Sequence, residues 1–421
     1  MSLRDFDVVL LGATGFTGAL TALHLAQHPE PGARIALAGR SRARLEDVRS
    51  GLGRTARDWE LVDVDAGDAV ALRVVAARTR VIASAVGPYL SYGKEVVRAC
   101  AEQGTHYADL AGEVLFVRWS IDEVAERARE TGARIVHACG FDSIPSDLGV
   151  LVTAERAADD GEGTLGETTL FVKSLRGGIS GGTVDTGRQQ AIAARADPAA
   201  RRTIDDPHGL SPRRSEEPPS SRRRLPGLAG VVRRYLPIER DPESGRWLGP
   251  FMMASFNTRI VRLSNTLTDW SYGRDFRYRE QTDFGSSPVS PLMAGTTAVG
   301  LGGVAAGLSF KPTRMILDRL LPKPGEGPSE RRRSGGRFRF EIRTTTTTGA
   351  KYLTRVGADL DPGYEGAAVM LGQSALCLAL DTERLPQRAG VLTPATAMGD
   401  VLVERLRAHG FTFEVSRVEG S

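Results

Sequence analysis

The sequence is poor in cysteine, in lysine and in long apolar runs, and each shortage excludes a class. Only Cys100, Cys139 and Cys377 occur among 421 residues, without a CxxC pair, so neither a disulfide framework nor a zinc knuckle is expected, and a reducing cytoplasm fits best. The formal charge is +4, an excess too small on a chain of this length to indicate nucleic acid, although 55 residues are basic and only five of these are lysine. MSLRDFDVVLLGATG runs from a short polar lead straight into an apolar stretch ending in glycine, so it reads as a strand and not as a signal peptide. Mean hydropathy of −0.20, with 41% hydrophobic and 25% charged residues, excludes a disordered polymer, a collagen-like chain and a polytopic membrane protein.

Glycine is what the chain has in excess, 48 residues, about 11% against an ordinary usage of about 7%. The length predicts two domains. Six β-branched runs, Asp7–Leu11, Arg34–Ala38, Trp59–Val64, Arg80–Ala85, His106–Leu110 and Arg134–Ala138, alternate with amphipathic segments long enough for crossover helices. That alternation predicts a Rossmann-like, doubly wound parallel α/β sheet over residues 1–145. Beyond Gly140 it stops. Thr168–Ser174, Arg337–Thr348 and Lys351–Ala358 read as longer antiparallel strands of a second, α+β substrate or oligomerisation domain over 146–385. Arginine clusters among Pro and Ser predict mobile insertions near 201–234 and 322–336.

Leu292–Phe310 carries no charge but five glycines, which makes a poor membrane span. A buried or acyl-lining hairpin is one reading; peripheral contact with a membrane or lipid surface through 292–321 is another, because the residues that follow are amphipathic.

The sharpest motif is Gly12-Ala13-Thr14-Gly15-Phe16-Thr17-Gly18, directly after the first strand and opening a helix. Such a turn brings backbone N–H groups to a pyrophosphate at a helix N-terminus. At the end of the second strand, where an NAD protein places an acid, stand Gly39, Arg40 and Ser41, with Arg44 one turn on. Guanidinium and hydroxyl groups there suit the 2′-phosphate of NADP. Asp63 and Asp65 border either the adenine or the next helix, and the backbone of Ser84, Val86, Gly87 and Pro88 is expected beside the nicotinamide ribose.

GATGFTG with AGR, then VGPYLSYGKEVVRACAEQGTHYADLAGE (86–113), GFDSIPSDLG (140–149) and GVLTPATAMGDVLVERLRAHGFTFEV (390–415) together resemble the saccharopine dehydrogenase-like oxidoreductases, and within them the trans-acting enoyl reductase branch. The resemblance implies an NADP-linked reduction of a polyketide or lipid acyl chain, and a C-terminal segment, 386–421, that packs back on the nucleotide domain. The acyl group would come from an acyl carrier protein, to which the arginine clusters offer charge; a homodimer is also compatible. Two alternatives stand beside it: a saccharopine-type amino-acid dehydrogenase, and a non-enzymatic nucleotide-binding scaffold at a lipid surface.

No tyrosine has lysine four positions on, so the Tyr-x-x-x-Lys mechanism of short-chain dehydrogenases is disfavoured. Tyr89, Tyr92 and Lys94 follow the nicotinamide-edge loop and are the catalytic candidates, against the alternative that they cap and coat a helix. His106 reads as structural. Asp109, Glu113, Asp142 and Ser143 sit at carboxyl ends of adjacent strands, where doubly wound sheets form clefts. Tyr364 is a candidate from the second domain.

Overall fold

The computed structural model describes residues 4–177, 181–217, 238–242, 244–309 and 335–419. Six strands follow in the first third: β1 (Phe6–Leu11), β2 (Ile35–Gly39), β3 (Glu60–Asp63), β4 (Thr79–Ser84), β5 (His106–Asp109) and β6 (Arg134–Val136). All six side chains of β1 and all five of β2 are buried, as a parallel sheet covered on both faces requires. Helices α1 (Phe16–Gln27), α2 (Arg42–Gly51), α3 (Ala69–Ala77), α4 (Tyr89–Tyr92), α5 (Lys94–Gln103), α6 (Val114–Glu123) and α7 (Ala125–Thr131) connect them, and α8 (Ile144–Asp159) leads out.

The second half contributes β7 (Leu165–Arg176), β8 (Glu239–Arg240), β9 (Trp247–Pro250), β10 (Arg277–Gly285), β11 (Arg337–Thr346) and β12 (Lys351–Ala358), then β13 (Gly390–Leu392) and β14 (Thr412–Val418). Its helices are α9 (Gly181–Ala196), α10 (Pro198–Asp205), α11 (Ala254–Leu267), α12 (Ser290–Ser309), α13 (Ala367–Leu380) and α14 (Pro394–Ala408).

The first sheet has the order β13-β6-β5-β4-β1-β2-β3 with parallel pairing throughout, the doubly wound order of a dinucleotide fold plus a seventh strand. The second has the order β14-β12-β11-β7-β10-β9-β8. It is mixed: β7 runs parallel to β10 and antiparallel to β11, so the wholly antiparallel expectation for this half does not hold. A parallel neighbour needs a long crossover, and the chain between β7 and β10 supplies it with helices.

One hydrophobic core runs through both halves, joining Val8, Leu10 and Leu37 to Phe338, Ile342, Leu371 and Leu402. Helix α8 lies on the second sheet so closely that a Cβ at Gly149 would stand 2.6 Å from Ile342 Cδ1.

Four further expectations are corrected. A boundary at 386 is too late, because α13 already packs on β1, β4 and β5 and is buried from Ala367 to Ala379; the first sheet needs a helix on that face. The C-terminal segment is also shared, since β13 joins the first sheet and β14 pairs with β12 in the second. Residues 201–217 are no loose insertion: Leu210 is buried, Arg213 donates to the Thr266 carbonyl at 2.8 Å, and Arg214 pairs with Asp206 at 2.5 Å. The remainder of both expected insertions, 218–234 and 322–334, lies outside the described residues, as does 311–321. Residues 290–309 form one helix and not a hairpin. Among the described residues no helix is long and apolar enough to cross a membrane.

Candidate active site

The carboxyl ends of β1 and β4 lie side by side where the strand order reverses, the place at which a doubly wound sheet opens its crevice. The turn after β1 is held by Gly12 N–H donating to the Ala38 carbonyl at 2.9 Å and Gly15 N–H to the Gly12 carbonyl at 3.0 Å. Gly12 has φ +86°, and a Cβ there would meet Val86 Cγ2 at 2.7 Å. A Cβ at Gly18 would stand 2.1 Å from the Gly12 carbonyl oxygen. Both positions therefore exclude any larger residue, and the second brings α1 against the strand. Gly15 caps α1 with extended backbone and no side chain of its own, the arrangement of a glycine turn that opens a helix.

At the end of β2, Gly39 faces the Thr14 hydroxyl, and Ser41 caps α2 by accepting from Arg44 N–H at 3.5 Å. Arg44 reaches back to the Thr14 carbonyl at 3.4 Å, which ties the second strand's loop to the glycine turn. Arg40 is 79% exposed beside Asp65 at 3.9 Å. Two guanidinium groups and a hydroxyl thus flank the site where a ribose 2′-phosphate would sit. Asp63 faces Arg42 at 3.7 Å.

On the other half of the crevice, the Ser84–Pro88 loop passes through a cis Gly87–Pro88 peptide into α4. Glu113, buried at the end of the next loop, accepts from Tyr89 N–H at 2.7 Å and Leu90 N–H at 2.8 Å, a carboxylate serving the N-terminus of α4. The Tyr89 hydroxyl donates to the Ser84 carbonyl at 3.0 Å and accepts from Leu110 N–H at 3.2 Å. With burial and the nearby Asp109 pushing it well above the ordinary tyrosine range, Tyr89 is fixed as a brace between two loops. Tyr92 is 50% exposed, and the Lys94 ammonium lies 5.3 Å from the centre of the Trp119 ring. The three catalytic candidates therefore do not converge.

What does converge is carboxylate chemistry. Asp109 is fully buried, takes His137 Nδ1 at 2.7 Å and accepts from Ala111 and Ala138 N–H at 2.9 and 3.0 Å, fixing the ends of β5 and β6. Ala138 is held at φ +62°, an uncommon conformation for a residue with a Cβ. Half-buried Asp142 follows; desolvation pushes its carboxyl up to about 7, and among the described residues no hydrogen bond reaches it. Its Oδ2 would be 3.2 Å from a Cβ at Gly112, and Thr186 of α9 closes the same spot at 3.8 Å. Gln190, also on α9, accepts from Val114 N–H at 3.1 Å and donates to the Gly112 carbonyl at 3.3 Å. No sequence signal marked Gln190, which acts only once α9 is laid over the DLAGE loop. Ser143 donates to Asn257 Oδ1 at 3.4 Å. His106 accepts from Arg134 N–H through Nδ1 at 3.1 Å, and burial lowers it to about 4, a structural histidine. Tyr364 meets Phe16 edge to face at 4.8 Å and brings the second domain to the glycine turn.

Residues 8–136 match the saccharopine dehydrogenase NADP binding domain. Across 98% of this chain and 99% of its own, the saccharopine dehydrogenase (L-Glu forming) of Saccharomyces cerevisiae has the same fold, with a TM-score of 0.52 and 14% identity. The molecule is thus an NADP-dependent oxidoreductase of the saccharopine dehydrogenase-like fold. The trans-acting enoyl reductase of Mycobacterium ulcerans is 47% identical over 420 residues, 99% of each chain, and that of Mycobacterium tuberculosis strain H37Rv is 46% identical over 422 residues, again 99% of each. The chain belongs to the family of these trans-acting enoyl reductases.

Proposed function

We propose that the chain reduces the carbon–carbon double bond of an enoyl thioester on a polyketide or lipid acyl chain, presented in trans on a carrier protein. NADPH supplies the hydride when bound. Gly12, Thr14, Gly15, Phe16, Thr17 and Gly18 hold its pyrophosphate, Gly39, Arg40, Ser41 and Arg44 its 2′-phosphate ribose, and the Ser84–Pro88 loop its nicotinamide half.

The observation that carries the chemistry is Asp142. Hydride addition at the β-carbon would open the double bond and leave the α-carbon in need of a proton from a residue of this chain. A carboxyl with its pKa pushed up to about 7 holds that proton at neutral pH, yet is acidic enough to release it. Asp142 follows β6 and stands beside Gly112 of the loop after β5, which in this reading borders the nicotinamide half, and its partial exposure gives the resulting carboxylate a route to a replacement proton. Tyr89 and Glu113 position the loop below it.

The acyl chain itself has an apolar path on α12. Leu292 and Val299, 68% and 61% exposed, line an open groove of about 510 Å³ with Ile238 and Pro291. Helix α9, which covers Gly112, packs against α12.

The test is NADPH oxidation with enoyl thioesters of several chain lengths, with product identified by mass. Saturated product is expected, fastest with long chains; no enoyl-dependent oxidation at any length removes the reading. Asp142→Asn is expected to lower kcat about 100-fold or more while leaving the NADPH dissociation constant within about twofold. An Asp142→Asn protein with full kcat removes only the proton-donor assignment.

A further inference from the structure

The chain has six histidines, and three of them meet at one point far from the crevice. His24 lies in the last turn of α1, His28 caps that helix at i+4, and His409 caps the end of α14. The three ring centroids are 4.9 Å apart in every pair. One ligand nitrogen from each ring falls within 4.8 Å of the other two.

We propose that His24, His28 and His409 form a binding site for one divalent transition-metal ion of the zinc class, which would pin the end of α1 to the returning C-terminal helix. Three imidazoles with a solvent-filled fourth position are an established donor set for tetrahedral zinc and its neighbours in the first row. Zinc–nitrogen bonds of about 2.0–2.1 Å place ligand nitrogens roughly 3.3 Å apart, so the rings need to close by about 1.5 Å. His28 is exposed and His409 half-buried, which leaves both free to make that adjustment, while His24 is buried and fixed.

The surroundings bear on a cation in further ways. Gln373 Nε2 lies 3.0 Å from His24 Nε2 while its Oε1 accepts from Arg405 at 3.2 Å, so a metal ion on His24 Nδ1 requires this amide to turn and offer its oxygen to Nε2–H. Arg405, the nearest fixed positive charge, is neutralised by Asp381 at 2.5 Å and Glu30 at 2.7 Å. Burial and the other two rings also keep His24 unprotonated, down to about 3, and a neutral imidazole is the form that ligates.

The cluster stands at the opposite end of α1 from the glycine turn. Twelve residues of helix span about 18 Å, so metal loading and NADPH binding are separable. The experiment uses full-length protein freed of any affinity tag and stripped with chelator, titrated with Co²⁺ and with Zn²⁺. One equivalent is expected to bind, with the visible absorption of tetrahedral Co²⁺, displacement by Zn²⁺ and a raised melting temperature. His28→Ala and His409→Ala should each weaken Co²⁺ binding by about tenfold or more and remove the thermal gain. Both sites accept alanine without loss of a buried side chain, and unchanged NADPH affinity verifies their folding. Absence of binding to the wild type, or binding undiminished in the double variant, overturns the proposal.

Discussion

The two sheets have seven strands each and arrange chemistry in opposite ways. In the first, short buried parallel strands deliver their loops to one edge, and the contacts that shape the site are largely backbone: a carbonyl at Gly12, a cis turn at Gly87–Pro88, amides taken by Glu113 and Asp109. In the second, longer strands alternate in burial, as β11 does, and polar side chains are placed inside the core. Asn257 donates to Glu280 at 3.0 Å and the Tyr278 hydroxyl donates to it at 2.9 Å. A site made from backbone depends on local residue type, whereas one made from side chains depends on which distant elements meet. In the proposed function the first half recognises a fixed cofactor, and the second is free to differ with the acyl group.

The same substitution in the two halves breaks or sharpens this contrast most strongly. Gly18→Ala puts a Cβ 2.1 Å from the Gly12 carbonyl, backbone against backbone, with nothing flexible to yield. NADPH binding should weaken by about 100-fold or more, with a stability loss of roughly 1–3 kcal/mol. Gly302 of α12 has nothing within 4 Å of its would-be Cβ. Gly302→Ala should stabilise by about 0.5–1 kcal/mol and leave NADPH binding unchanged. Equilibrium unfolding and fluorescence titration of NADPH check both; equal effects in the two variants would remove the distinction.

A smaller effect is expected where side chains do enter the cofactor site. Arg40→Ala with Arg44→Ala removes both guanidinium groups beside the proposed 2′-phosphate position, and with them the Arg44 contact to the Thr14 carbonyl, while leaving every glycine of the turn in place. KM for NADPH should rise by about 10- to 100-fold, since hydrogen bonds to a charged group contribute roughly 1.5–3 kcal/mol. KM for NADH should stay within about twofold, which distinguishes lost phosphate recognition from a damaged turn. A parallel loss for both cofactors would place the 2′-phosphate elsewhere.

Legibility in the sequence follows the same division. All six strands expected in residues 1–145 form, because each is an apolar run bounded by a glycine or polar turn, and both faces of a parallel sheet demand such runs. The glycine turn was readable because its spacing is local. The second half was readable only as strands: β7 pairing parallel with β10 depends on a crossover of about a hundred residues, and α13 joining the first sheet depends on which face lacked a cover. Tyr89, Tyr92 and Lys94 follow the right loop in sequence, but burial makes Tyr89 a brace, and Lys94 turns to Trp119. In the sequence Asp142 is one of several edge acids; its desolvation, and the lack of a hydrogen bond to it among the described residues, belong to the fold alone. The histidine trio joins positions 24 and 409, a proximity created where α1 and α14 both pack on α13.

The mildest test probes the polar core of the second half through pH. Burial pushes the Glu280 carboxyl up to about 7 from an ordinary 4.5, against the lowering contacts from Ser146, Tyr278, Asn257 and Arg262. Between those two values the native protein keeps a proton that the unfolded chain has lost. Stability contributed by the group is therefore complete below about pH 4.5 and is lost as pH rises through 7. Asp142 and Asp147, raised to about 7 and about 6, act with the same sign, whereas His24 and His106, lowered to about 3 and about 4, act oppositely below pH 6.5, so the weakening of the wild type should be clearest from pH 6.5 to 8. Glu280→Gln removes one titrating group and retains an acceptor of the same shape. Denaturant unfolding at pH 5 and pH 8 should show the difference between the two pH values shrinking by roughly 1–3 kcal/mol in the variant. If the variant's pH dependence matches the wild type, Glu280 is ionised throughout, and the second half holds a buried charge compensated by Arg262 where a neutral hydrogen-bonded acid is expected.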